Sequence, residues 1–164
     1  MTELDPLIEA LRSELQQYGE MLARLDQQQD SILRRAPDEV LVSVTAVQEQ
    51  GAAIQAARQT REQCHRRLAS DLGHAEPTTL AQLAEAVPPD YQPLLRALIE
   101  ENNQLLVRVQ QRARQNHLLL RRSLDLMQGL LQSLFPAGHR TVYDGCGNSF
   151  TRNLPASALY DAAG

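Results

Sequence analysis

Apolar side chains recur along this chain at steps of three and four, the period of a helix with one buried face rather than the alternation of a strand. The first run, Leu4, Ile8, Leu11, Leu15, Tyr18, Leu22, Leu25, Gln29 and Ile32, alternates the two steps without a slip. Only Gln29 is polar, so about four heptads form a coiled-coil seam that requires another helix to cover it. Thr2 or Asp5 is placed to cap this helix, and Pro6 suits its first turn, where a missing N–H costs nothing. Pro37 disfavours helical geometry before it and ends the helix near Arg35. Asp38 then caps a second helix running to about Leu72, with Val40, Val44, Val47, Ile54, Ala57, Cys64 and Leu68 on its buried side and Gly73 as its stop. The short turn makes the two an antiparallel hairpin. Gly51, Ala52, Ala53, Ala56 and Ala57 give the second helix a thin middle.

His74 to Pro77 reads as a linker, and Thr79 with Gln82 three residues on forms a capping box for a short helix, Leu80 to Ala86. After the Pro88-Pro89 break, Asp90 caps the longest helix, which tolerates Pro93 in its first turn and runs to Phe135. Leu95, Leu98, Leu105, Val109, Leu119, Leu126 and Leu130 keep the helical period. Beyond His117 the pattern thickens into Leu118, Leu119, Leu120, Leu124, Leu126, Met127, Leu130, Leu131, Leu134 and Phe135. These side chains cover more than half the helix circumference, wider than the roughly 100° stripe that a core-facing helix needs.

Lengths sharpen the point. At 1.5 Å per residue the first two helices span roughly 45 to 55 Å and the long one roughly 65 to 70 Å. In an up-down-up bundle the long helix therefore overshoots the hairpin turn by about 10 to 15 residues, which are the leucine-rich ones. Burying Leu124, Met127, Leu130, Leu131 and Leu134 is worth roughly 7 to 15 kcal/mol gross, enough to hold an amphipathic partner helix after the costs of association. Asn102, Arg112 and Asn116 stand where the seam calls for apolar residues; they are either register-setting polar layers or direct partner contacts.

The fold class is all-α: an antiparallel long-helix bundle over residues 1–135, with helices at about 3–35, 38–72, 79–87 and 90–135. Residues 136–164, with glycines at 138, 145 and 147 and no periodic apolar face, read as a flexible C-terminal tail. Tyr143 in that tail is either a tether to the bundle or a docking anchor. Composition agrees: leucine, alanine, glutamine, glutamate and arginine dominate, aromatics make up 4% and tryptophan is absent.

A formal net charge of −4 argues against nucleic acid as a partner, with Arg66-Arg67 and Arg121-Arg122 read as solvated helix flanks. Every basic residue other than histidine is arginine, which excludes lysine chemistry. Cys64 and Cys146 form no CxxC pair, and His65, His74, His117 and His139 share no helical face with carboxylates at ligand spacing. We therefore expect no metal, no cofactor and no enzyme. No run of about eighteen apolar residues and no signal-like start occurs, so a cytoplasmic protein without membrane insertion is expected.

The long-helix end Asn116-His117-Leu118-Leu119, then Ser123-Leu124, Leu130-Leu131, a proline and glycine break, and Thr141-Val142-Tyr143-Asp144 with Gly147 resembles the FlgN-type flagellar export chaperones. The resemblance extends over nearly the whole chain, but its specificity lies in residues 116 to 147. It implies a chaperone that binds the C-terminal helical segments of hook–filament junction proteins, prevents their premature assembly and delivers them to the export gate. Carried over by position, Asn116, Leu119, Ser123, Leu126, Met127, Leu130 and Leu134 would bind the client, with Asn116 at the lower edge. Tyr143, Asp144 and Gly147 would dock on the cytoplasmic domain of the export-gate membrane protein. Cys146 between two glycines, and the extension past Gly147, depart from the family pattern. The competing reading is a structural coiled-coil protein that self-associates through its leucine-rich end; monomer or weak homodimer is the expected state.

Overall fold

The computed structural model describes residues 4–73, 79–134, 141–143 and 149–151. It divides into two compact units, Met1–Arg121 and Arg122–Gly164. The first holds α1 (Leu4–Leu33), α2 (Pro37–Asp71), α3 (Leu80–Ala86) and α4 (Gln92–Leu134) as far as Arg121.

The seam of α1 is rotated beyond its first turns from the one that hydropathy selects. Leu4, Ile8, Leu11, Tyr18, Leu25 and Ile32 are buried as expected, but the intervening buried positions are Leu7, Glu14, Met21 and Gln28, while Leu15, Leu22 and Gln29 are only half-buried. The buried series still steps by three and four. Two of its members are polar and hydrogen-bonded, and a hydropathy pattern scores such positions as surface.

The α1–α2 turn depends on its backbone more than on side-chain caps. Arg35 takes a left-handed φ of 56°, and Ala36 N donates to Ser31 O at 3.0 Å, reversing the chain before Pro37 opens α2 as its first residue. Asp38, expected as the cap, is instead inside the first turn; Ala36 holds the cap position without a side-chain hydrogen bond. Asp38 and Glu39 there favour the positive end of the helix dipole, and Arg34 pairs with Glu39 across the turn. Val40, Val44 and Val47 are half-buried, and full burial on α2 begins at Gln50. At the other end Gly73 adopts φ +72° and donates to Ser70 O, the left-handed stop that glycine permits.

Thr79 and Gln82 form the capping box that their spacing predicts: Gln82 N donates to Thr79 Oγ1 at 3.2 Å and Thr79 N to Gln82 Oε1 at 2.9 Å. The buried side of α3, Leu83 and Ala84, joins Leu4, Leu7, Leu11, Cys64, Leu68, Leu95 and Leu98 in one core cluster. Gln92 Nε2 donates to the carbonyls of Glu85 and Val87, fastening the end of α3 to the start of α4. Asp90 is therefore two residues ahead of α4, and Tyr91 O accepts from Leu95 N. Further along the bundle, Tyr18, Met21, Leu25, Ile54 and Val109 form a second cluster, with Leu22, Val47, Leu105 and Leu106 packed against it.

In the second unit, α4 runs from Arg122 to Leu134 with every residue exposed. Strands β1 (Thr141–Tyr143) and β2 (Ser149–Thr151) pair antiparallel, Val142 opposite Phe150. Reading this stretch for helical period alone finds no strand in it. The pairing falls where threonine, valine, tyrosine and phenylalanine flank a glycine-containing stretch.

Candidate functional site

Two asparagines lock α4 to α1. Asn102 Nδ2 donates to Leu11 O at 3.1 Å, and Asn116 Nδ2 donates to Leu25 O at 2.7 Å and to Gln28 Oε1 at 3.1 Å. Each asparagine lies 91 residues after the α1 carbonyl it meets, so the helices run parallel in one register. Between these layers, Arg112 Nε approaches Asp26 Oδ1 at 2.7 Å and Arg112 also donates to Gln29. Asn102, Arg112 and Asn116 are thus polar layers of the bundle, and Asn116 is only 1% exposed.

A further polar layer, between α1 and α2, was not legible in the sequence. Glu14 is buried; it accepts from Tyr18 Oη at 2.8 Å, and Arg61 Nε lies 2.6 Å and Arg58 Nε 3.5 Å from its carboxylate. Arg58 Nε also donates to Tyr18 Oη at 2.7 Å. Burial, reinforced by the Glu14 carboxylate, pushes the Tyr18 phenol above its ordinary pKa. The cavity these residues line with Leu11 and Asn102 is about 190 Å³, too small for a helix. Its buried carboxylate, Glu14, is paired with Arg58 and Arg61, while Asn102 Oδ1 has no hydrogen-bond partner.

The α4 face that carries Asn102, Val109 and Asn116 continues as an apolar surface. At about 100° per residue, Leu134 lies five turns beyond Asn116 on the same line. Leu119, Leu120, Leu124, Leu126, Met127, Leu130 and Leu131 fall within an arc of about 160° centred on that line. Leu126 is 70% exposed and Leu134 64%, with Leu124, Met127, Leu130 and Leu131 also open. Exposed leucines at this density on one helix mark an interaction surface.

The expected client-binding residues divide accordingly. Asn116 belongs to the α1–α4 layer, Leu119 is half-buried, and Ser123, Leu126, Met127, Leu130 and Leu134 are exposed on the one arc. Leu124 and Leu131, absent from the set carried over by resemblance, belong to the same arc. Of the expected docking residues, Tyr143 pairs through its backbone with Ser149, while Asp144 and Gly147 lie outside the described residues. Among the described residues no group of histidine, cysteine or carboxylate side chains could hold a metal ion, and no helix is long and apolar enough to cross a membrane.

No curated protein and no solved structure matches this chain significantly. A family match does exist: the family described as FlgN protein matches residues 1–149, nine-tenths of the chain and all four helices. With that match over a helical bundle whose longest helix is α4, this chain belongs to the FlgN family of flagellar export chaperones.

Proposed function

We propose that this chaperone acts in the cytoplasm, holding the C-terminal helical segments of hook–filament junction proteins on the apolar arc of α4 and delivering them to the export gate. The observation that carries this reading is the continuity of the arc with the buried α4 seam. A face patterned to receive a helix, as it receives α1 between Asn102 and Asn116, is open from Leu124 to Leu134. A helix-in-groove client uses such a face through apolar anchors at three- and four-residue steps. Leu119, Ser123, Leu126, Met127, Leu130 and Leu134 contact the client, and Asn116 marks the lower edge of the groove. Tyr143, Asp144 and Gly147 form the docking segment for the export gate's cytoplasmic domain. No step of this reading makes or breaks a covalent bond.

Calorimetric titration with a peptide spanning the C-terminal helix of a hook–filament junction protein from the same genome tests the reading. Wild type is expected to bind at micromolar affinity or tighter, and Leu130→Asp/Leu134→Asp to lose binding while staying folded. The same leucines could instead serve a second copy of the chain. In that case the double variant converts a dimer to a monomer in light scattering, and the wild type ignores the peptide.

A further inference from the structure

A second surface on α4 faces away from the seam. From Asn102 to Leu124 the helix carries five arginines, Arg108, Arg112, Arg114, Arg121 and Arg122, and no carboxylate, in a chain whose formal net charge is −4. Arg112 is held by Asp26. Arg108, Arg114 and Arg121 are exposed and have no ion-pair partner among the described residues. Like charges on one helix face destabilise the helix; Asp125, four residues after Arg121, offsets that end, while no carboxylate of α4 stands within four residues of Arg108 or Arg114.

Two of these arginines belong to an ordered stripe. Val107, Gln111, Arg114, Leu118 and Arg121 step by four, three, four and three, and all five are exposed, Val107 at 50% and Leu118 at 65%. About half a turn separates this stripe from the Asn102–Val109–Asn116 line. It has the heptad form of a coiled-coil position, with aliphatic residues at two steps and arginine at two others. All of it lies in the first unit, apart from the exposed leucines beyond Arg121.

We propose that the Val107–Arg121 stripe is a second docking surface, and that its occupant is an acidic amphipathic helix of another protein. Charge complementarity selects the sign of the partner: carboxylates opposite Arg114 and Arg121, with Arg108 at the flank, relieve the repulsion along α4. Heptad spacing with Val107 and Leu118 selects a helix over a phosphate backbone, which would use the arginines but leave the aliphatic residues wet. Because Ser123 to Leu134 carries a single charged residue, Asp125, capture there depends on apolar area. Docking on the stripe depends on salt.

The test is fluorescence anisotropy on the full chain carrying Leu130→Asp/Leu134→Asp, so that the leucine arc does not compete. The probe is a synthetic helical peptide of about 21 residues with leucine at heptad a and d positions and glutamate at most others. A scrambled peptide of the same composition and a single-stranded RNA of equal charge serve as comparisons. The expected result is micromolar binding of the amphipathic peptide, weakened about tenfold or more by Arg114→Glu/Arg121→Glu, by Leu118→Asp, or by raising salt several-fold. Arg114→Gln/Arg121→Gln gives an intermediate loss. Absence of binding, equal binding of the scrambled peptide, or tighter binding of the RNA overturns the proposal. The calorimetric titration with the junction-protein peptide is read separately on the unmodified chain, so either reading can fail alone.

Discussion

Asn116 donates its amide to the carbonyl of Leu25 across 2.7 Å, and the two residues are 91 positions apart, the same separation as Asn102 and Leu11. A parallel pair of helices is thereby fixed at two points two heptads apart. The register that results gives α1 and α4 a defined correspondence from Leu11 to Leu25. Apolar contacts alone would tolerate slippage along so leucine-rich a helix.

Replacing Asn116 by alanine leaves the buried Gln28 amide without its α4 partner and should cost about 1–3 kcal/mol in urea denaturation. Asn116→Leu should cost less, because it leaves Gln28 equally unpartnered but fills the volume that alanine vacates and gains apolar contact. Its consequence should appear as doubled amide signals from α1 and α4 in NMR spectra, reporting a second register. A single set of signals in the leucine variant would mean that the asparagines do not set the register.

Tyr18 makes the bundle sensitive to alkali. Its phenol is raised above the ordinary value of about 10, chiefly by burial and then by the Glu14 hydrogen bond. The unfolded chain therefore loses this proton first, so the Tyr18 contribution is complete below the ordinary value and is lost as pH rises through the folded one. Denaturation midpoints should fall above about pH 10, and Tyr18→Phe should remove that part of the slope. In ultraviolet titration one tyrosine should ionise later in the native protein than in urea, and the delay should vanish in Tyr18→Phe.

Leucines on the same helix should differ sharply in cost. Leu95 is 1% exposed within the core cluster, and Leu95→Ala should destabilise by about 2–5 kcal/mol. Leu130 is 60% exposed, and Leu130→Ala should stay within about 0.5 kcal/mol of wild type. Chemical denaturation of the two variants compares them directly. A large loss in Leu130→Ala would show that its side chain is already covered in the free protein, leaving no open face for a client.

The long helices, the capping box at Thr79 and the overlong α4 were legible because each depends on local spacing or chain length. The rotated α1 seam was not. Glu14 and Gln28 look like surface residues until Arg58, Arg61 and Asn116, dozens of positions away, supply their partners. Hydropathy favours Leu15 and Leu22 for the same reason. Asp38 and Asp90 misled as caps because a proline and a left-handed Arg35 open α2, and Gln92 fastens the start of α4. The polar residues of the α4 seam were visible as exceptions, but only the carbonyls of Leu11 and Leu25 decide that Asn102 and Asn116 serve the bundle.

Because both α1–α4 layers lie at or before Asn116, the helix beyond Leu124 is under no constraint from the register. Inserting seven residues there would preserve the facing of every leucine and extend the apolar arc by about 10 Å. An insertion of one residue between Asn102 and Asn116 would instead turn one layer about 100° away from α1. The end of α4 is thus a ruler of adjustable length: whole heptads can be added or removed without touching the layers at Asn102 and Asn116.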